Sequence, residues 1–113
     1  MIEIIKTPGK HINYSTTKKN IILGADEDLS INLQSREKDE DVYIDICADE
    51  NGELTMGTAA GMRYIAEIRI PARKYVESKE PTNGESDEQY TYRLKSMPFN
   101  INDCTIYLWG MEE

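Results

Sequence analysis

Met62 to Pro71, Met-Arg-Tyr-Ile-Ala-Glu-Ile-Arg-Ile-Pro, restricts the fold more than any other stretch of the chain. Its even positions, Met62, Tyr64, Ala66, Ile68 and Ile70, are apolar, whereas Arg63, Glu67 and Arg69 occupy odd positions. Period two is the pattern of a strand with one face on a core and the other in water. Met62, Ile65, Ala66 and Arg69 also fall on one helical stripe. The helix loses, because Pro71 removes a backbone donor and clashes with the preceding turn, and because Tyr64, Ile65, Ile68 and Ile70 are aromatic or β-branched.

Similar but shorter alternations recur on both sides of this strand. Ile2–Ile5 is a short apolar run closed by Thr7-Pro8-Gly9, which is turn chemistry. Residues 10–19 read as a loop or as an edge strand blunted by lysines. Asn20–Gly24 is a second apolar burst, and Leu29, Ile31 and Leu33 alternate with polar neighbours. Val42, Ile44 and Ile46 point one way, and Asn51-Gly52 follows. That dipeptide accepts positive φ at both residues and predicts a hairpin pairing Tyr43–Ala48 with Glu53–Gly57. Tyr90, Tyr92 and Leu94 alternate again, and Cys104–Trp109 ends the series with Cys104, Ile106 and Leu108 on one face and Tyr107 and Trp109 on the other.

The spacing predicts an all-β domain over residues 1–113, with room for one short helix at most. The expected form is a small antiparallel β-sandwich or barrel of about 7–8 strands built from hairpins. Two stretches fall outside the strand pattern. Arg36–Asp41 is a charge run without an apolar residue and is expected to be a solvated connection. Residues 77–89 are acidic and lack any large apolar side chain, so they are expected to form a mobile hairpin loop that cannot repay its ordering entropy by burial.

Charge narrows the range of functions. The net charge is −8, divided unevenly: residues 1–24 carry four Lys against one Glu, and residues 25–61 carry eleven acids against Arg36 and Lys38. Such a balance repels phosphate and argues against direct nucleic-acid binding. No apolar run approaches the ~20 residues of a membrane helix, and no signal-peptide layout is present, so no membrane partner and a cytoplasmic location are expected. Cys47 and Cys104 have no metal or redox spacing and read as small buried hydrophobes.

Candidate chemistry is sparse. Taking Gly52 as the glycine of a calcium loop puts Cys47 and Thr58 where carboxylates are required, so no metal is expected there. Asp26-Glu27-Asp28 and Asp39-Glu40-Asp41 lie in polar runs that share one solvated environment each, unlike catalytic carboxylate pairs, whose surroundings differ. His11 is the sole histidine. A catalytic cysteine would have to recruit it without any local signature. No cofactor motif is present, and a non-enzymatic role is expected.

Two roles fit. In the first, the chain is a protein-interaction or assembly module whose outward Tyr107 and Trp109, with the cationic stripe of Arg63 and Arg69, meet a protein partner or a second copy in a homo-oligomer. In the second, Asp26, Glu27, Asp28, Asp39, Glu40, Asp41, Asp49 and Glu50 form an acidic surface that imitates a nucleic-acid backbone and occupies the basic groove of a nucleic-acid-binding enzyme. In size, acidity and hairpin-rich layout the chain is similar to small accessory proteins of phages and mobile elements, a likeness of composition rather than of motif.

Overall fold

The computed structural model describes residues 1–58, 61–81 and 90–111. Among these the chain forms ten strands: β1 (Ile2–Ile5), β2 (Tyr14–Thr16), β3 (Asn20–Leu23), β4 (Leu29–Asn32), β5 (Val42–Ala48), β6 (Leu54–Met56), β7 (Arg63–Ile70), β8 (Tyr75–Pro81), β9 (Tyr90–Ser96) and β10 (Thr105–Leu108). The helical content of the described residues is two single 3-10 turns, Gln34–Arg36 and Ile101–Asp103.

The expected all-β class holds, with more strands than the spacing suggested and no closed barrel. A five-stranded sheet runs in the order β1-β10-β7-β5-β6, a three-stranded sheet in the order β2-β3-β4, and β8 with β9 forms a separate two-stranded ribbon. The first two sheets pack face to face. Ile21, Leu23 and Ile31 of the smaller sheet join Ile44, Ile46, Ala66, Ile68, Ile70, Ile106 and Leu108 of the larger in one buried cluster.

β7 lies at the centre of the large sheet, antiparallel to β10 on one side and to β5 on the other. Ala66, Ile68 and Ile70 are fully buried, as their alternation requires. Tyr64 departs from the pattern. Ile46 pairs with Ala66 but Cys47 pairs with Tyr64, so Ile65 is the extra residue of a β-bulge. One inserted residue reverses the side-chain parity upstream of it. Ile65 therefore takes the core position at 1% exposure, and Tyr64 turns to the opposite face.

The hairpin expected at Asn51-Gly52 is present. β5 pairs with β6 through Ile46↔Met56, Cys47↔Thr55 and Ala48↔Leu54, and Gly52 sits at φ +81°, where a side chain would be strained. Asp49 Oδ1 accepts from the backbone N–H groups of Asn51 and Glu53, at 2.9 Å each, which fixes the turn. At the far side of the sheet β1 runs parallel to β10. The chain after β10 locks against the segment after β1, where Gly110 donates to Thr7 Oγ1 at 2.6 Å and a Cβ on Gly110 would meet the Pro8 carbonyl oxygen.

Part of the stretch expected to be a mobile hairpin loop is strand. Residues 77–81 belong to β8, in register with 90–94, and residues 82–89 lie outside the described residues. The ribbon shares no ladder with either sheet, and the molecule measures 70 × 25 × 22 Å. Ile68→Ala should lower stability by about 2–5 kcal/mol, because it empties a fully packed site. Leu94→Ala, at a ribbon position 73% exposed, should stay within ~0.5 kcal/mol. Denaturant midpoints at unchanged slope check both.

Candidate interaction face

The three-stranded sheet covers only one face of the five-stranded sheet. The register assigns the residues of the other, outer face: Ile2 and Ile4 from β1, Thr105 and Tyr107 from β10, Glu67 and Arg69 from β7, and Tyr43 and Asp45 from β5. Tyr43 is 56% exposed, Ile2 50% and Ile4 40%. Tyr107 is half-buried, with the Lys6 ammonium 5.7 Å from its ring centroid, a cation–π distance.

Tyr64, turned outward by the bulge, brings order to the polar part of this face. Its hydroxyl lies 2.5 Å from Asp45 Oδ1 and 3.0 Å from Glu67 Oε2. Asp45 and Glu67 are directly opposed across β5 and β7. Like charges in that position repel, and the Tyr64 hydroxyl between them offers its one proton to both, more closely to Asp45 than to Glu67. Burial, then the hydrogen bonds to Asp45 and Glu67, push the Tyr64 hydroxyl far above its usual pKa. Trp109 packs edge-on against Tyr64, with centroids 4.6 Å apart and planes at 78°. Its backbone N–H donates to the Ile65 carbonyl at 3.0 Å. Trp109 therefore supports the Tyr64 cluster; it is half-buried, as Tyr107 is, and Tyr43 is the open aromatic of this face.

Arg69 and Arg63 do not share a face. Arg69 is level with Tyr43 and Thr105, whereas the bulge sets Arg63 opposite Ala48, on the other side of the sheet. The cationic stripe is broken by the same inserted residue that turned Tyr64 outward. Arg69 reaches Asp41 Oδ2 from both Nη2 (2.8 Å) and Nε (3.0 Å). The other oxygen of Asp41 accepts from the Ala72 N–H at 2.8 Å, and these bonds hold the carboxyl below its ordinary pKa, the Ala72 bond most of all.

Asp41 belongs to a neck that joins the ribbon to the sandwich. Arg73 Nη1 lies 3.3 Å from Asp39 Oδ1 and Arg73 Nε 3.4 Å from Glu37 Oε1, while its Nη2 donates to the Glu37 carbonyl at 3.0 Å. The Tyr75 hydroxyl also donates to Asp39, and Lys74 pairs with Asp103 at 3.6 Å. Singly such partly exposed pairs are worth ~0–1 kcal/mol. Together they tie residues 37–41 to 69–75, so the charge run is the expected solvated connection and also a clamp. A cleft of about 370 Å³ lies at the neck, lined by Pro71, Lys74, Met97, Phe99 and Asp103 among others.

The acidic residues are dispersed. Asp26, Glu27 and Asp28 are exposed in the β3–β4 turn, and Glu50 in the β5–β6 turn beside half-buried Asp49. Glu40 is exposed at the neck between Asp39 and Asp41. Asp41 and Asp49 flank the two ends of β5, roughly 25 Å apart at ~3.3 Å per residue. Among the described residues no three His, Cys, Asp or Glu gather as a metal site would require, and none of the described helical segments is long and apolar enough to cross a membrane. Cys47 and Cys104 are both buried and free. Burial pushes both thiols up, Cys104 to about 11, away from the thiolate a nucleophile needs. His11 Nε2 lies 2.7 Å from the Thr7 carbonyl oxygen.

No family model, no curated protein and no solved structure matches this chain. Its functional reading rests on the geometry above. Sequence reasoning missed Tyr43, Asp45, Tyr64 and Glu67. The available signal was Tyr64-Ile65-Ala66, three consecutive non-polar residues where strict alternation allows two.

The raised tyrosines imply a pH dependence of defined sign. Unfolded tyrosine titrates near 10, while folded Tyr14 is held at about 12 by burial and its Glu3 hydrogen bond, and Tyr64 higher still. The unfolded state therefore loses these protons first as pH rises. The stability they contribute is complete below pH 10 and falls above it. Chemical denaturation across that range, followed by tyrosinate absorbance, should show the decline, and Tyr64→Phe should make it shallower.

Proposed function

We propose that this chain is a non-enzymatic docking module that presents the outer face of its five-stranded sheet to the apolar surface of a protein partner. One observation carries the reading. Tyr43, Tyr107, Ile2 and Ile4 occupy a sheet face that the second sheet does not cover, while the polar groups among them already have partners within the chain. Arg69 is paired with Asp41, and Asp45 and Glu67 share the Tyr64 hydroxyl. A partner therefore finds aromatic and aliphatic surface beside two carboxylates, Asp45 and Glu67, that are already hydrogen-bonded by Tyr64 though still anionic, and aromatic anchors are the side chains that dominate interface energy.

The second reading, imitation of a phosphate backbone, has weaker support. Asp39 and Asp41 are neutralised by Arg73 and Arg69, and Asp41 and Asp49 lie at opposite ends of β5 rather than in one array.

The test is capture of partners from the source lysate by the whole chain, at low salt and at about 1 M salt, where the Debye length is ~3 Å. A discrete partner should be retained at both and lost with the double variant Tyr43→Ser, Tyr107→Ser. Release at high salt of a basic nucleic-acid-binding protein, with the double variant still binding, would replace the docking reading with mimicry.

A further inference from the structure

We infer that the open edge of β1 pairs antiparallel with β1 of a second copy of this chain, about a two-fold axis at Ile4, to make one continuous ten-stranded sheet. The backbone provides the first argument. Ile2 donates to the Cys104 carbonyl and Lys6 to the Leu108 carbonyl, each at 2.8 Å. Even-numbered residues of β1 thus direct their peptide groups at β10. Glu3 and Ile5, of opposite parity, direct theirs at the open side, where the described residues supply no backbone partner.

The strand has few of the features that keep sheet edges apart. Natural edges are kept from pairing by shortness, by charged side chains or proline, or by a bulge; β1 has no proline or bulge, and its one charge, Glu3, already accepts from the Tyr14 hydroxyl at 2.9 Å within the chain. The opposite edge, β6, has three residues, and the β2 edge has three with Lys18 and Lys19 close behind. β1 has four, three of them isoleucine and all exposed, with Ile2 at 50%, Ile4 at 40% and Ile5 at 48%.

The register selects a second copy as the occupant. A two-fold axis through the sheet pairs residues of equal parity. With Ile4 opposite Ile4 of the second copy, Glu3 faces Ile5 and Ile2 faces Lys6. The outward peptide groups of Glu3 and Ile5 then meet as hydrogen-bonded pairs, and the Ile4 pair on the axis is of the closer, non-hydrogen-bonded kind. Moving the axis to Glu3 would set two carboxylates against each other. Glu3 and Lys6 balance, so a chain of net charge −8 meets its copy along an electrically neutral strand. This is the self-complementarity that a two-fold interface requires.

Light scattering on the purified whole chain should give twice the 13.0 kDa mass of one chain. Ile4→Lys sets two like charges on the axis at an exposed position and should yield a folded monomer with an unchanged strand circular-dichroism spectrum. Ile4→Cys should form a covalent dimer under mild oxidant, because the Cα separation of a non-hydrogen-bonded pair, ~4.5 Å, lies within the disulfide range of ~4.4–6.8 Å. Leu94→Cys, on the ribbon, should not, and the buried native cysteines should stay silent. A monomeric wild type at its highest soluble concentration, a dimer that survives in folded Ile4→Lys, or an Ile4→Cys chain that resists cross-linking each overturns the assignment. Should Ile4→Lys fail to fold, the cysteine variant decides alone. A monomer would leave the outer face intact, so partner capture and self-pairing fail separately.

Discussion

Antiparallel pairing of β7 with strands on both sides is the constraint on which the rest of the structure depends. An edge strand satisfies half its peptide groups with water, but β7 has β5 on one side and β10 on the other, so its backbone is committed on both sides over residues 66–69. Ala66, Ile68 and Ile70 then have one place to go, against Ile21, Leu23 and Ile31 of the smaller sheet. The direction of that burial orients β5 and β10, and through β10 it orients β1. The bulge at Ile65 adjusts the arrangement locally. It keeps an isoleucine in the core where strict alternation would have put a tyrosine, and it releases that tyrosine to bridge two carboxylates.

Electrostatics across the molecule follow one pattern, in which acids are matched within the chain wherever it needs to be held. Glu37, Asp39 and Asp41 fix the ribbon through Arg73, Tyr75 and Arg69, and Asp49 fixes the β5–β6 turn through backbone N–H groups. Asp26 to Asp28 remain in an exposed turn. The negative charge thus serves mainly turns and the neck, and on the outer sheet face Asp45 and Glu67 are gathered around Tyr64 while Tyr43, Ile2 and Ile4 stay exposed.

Much of the fold was legible in the residues. The alternations at Leu29–Leu33, Val42–Ile46 and Cys104–Leu108, and the Asn51-Gly52 turn, each report a local rule that the tertiary structure respects. Ile44, Ile46, Cys104, Ile106 and Leu108 are buried as their spacing demands. Three features escaped. The bulge leaves only a subtle mark, since Ile65 is as apolar as the residues beside it. The neck depends on Arg69 and Arg73 meeting acids some thirty positions earlier, a pairing that no local pattern encodes. β8 contains Glu77, Ser78, Lys79 and Glu80, whose composition argues for a loop; its strand conformation comes from register with β9. The aromatic face was visible in part, since Tyr107 follows from parity within one strand, whereas Tyr43 and Tyr64 join it only once three strands are in register.

The parallel pairing of β1 with β10 has a consequence for how the molecule comes into being. Residues 2–5 have no ladder until residues 105–108 exist, and the same late strand supplies the second edge of β7. A ribosome therefore releases the apolar first strand long before its neighbour is made, and the large sheet closes only after residues 105–108 have been synthesised. Contacts across such separations make for slow, cooperative folding and for intermediates with bare strand edges. Completion of this sheet is thus a late event, and in the interval before it the edges of β1 and β7 are bare.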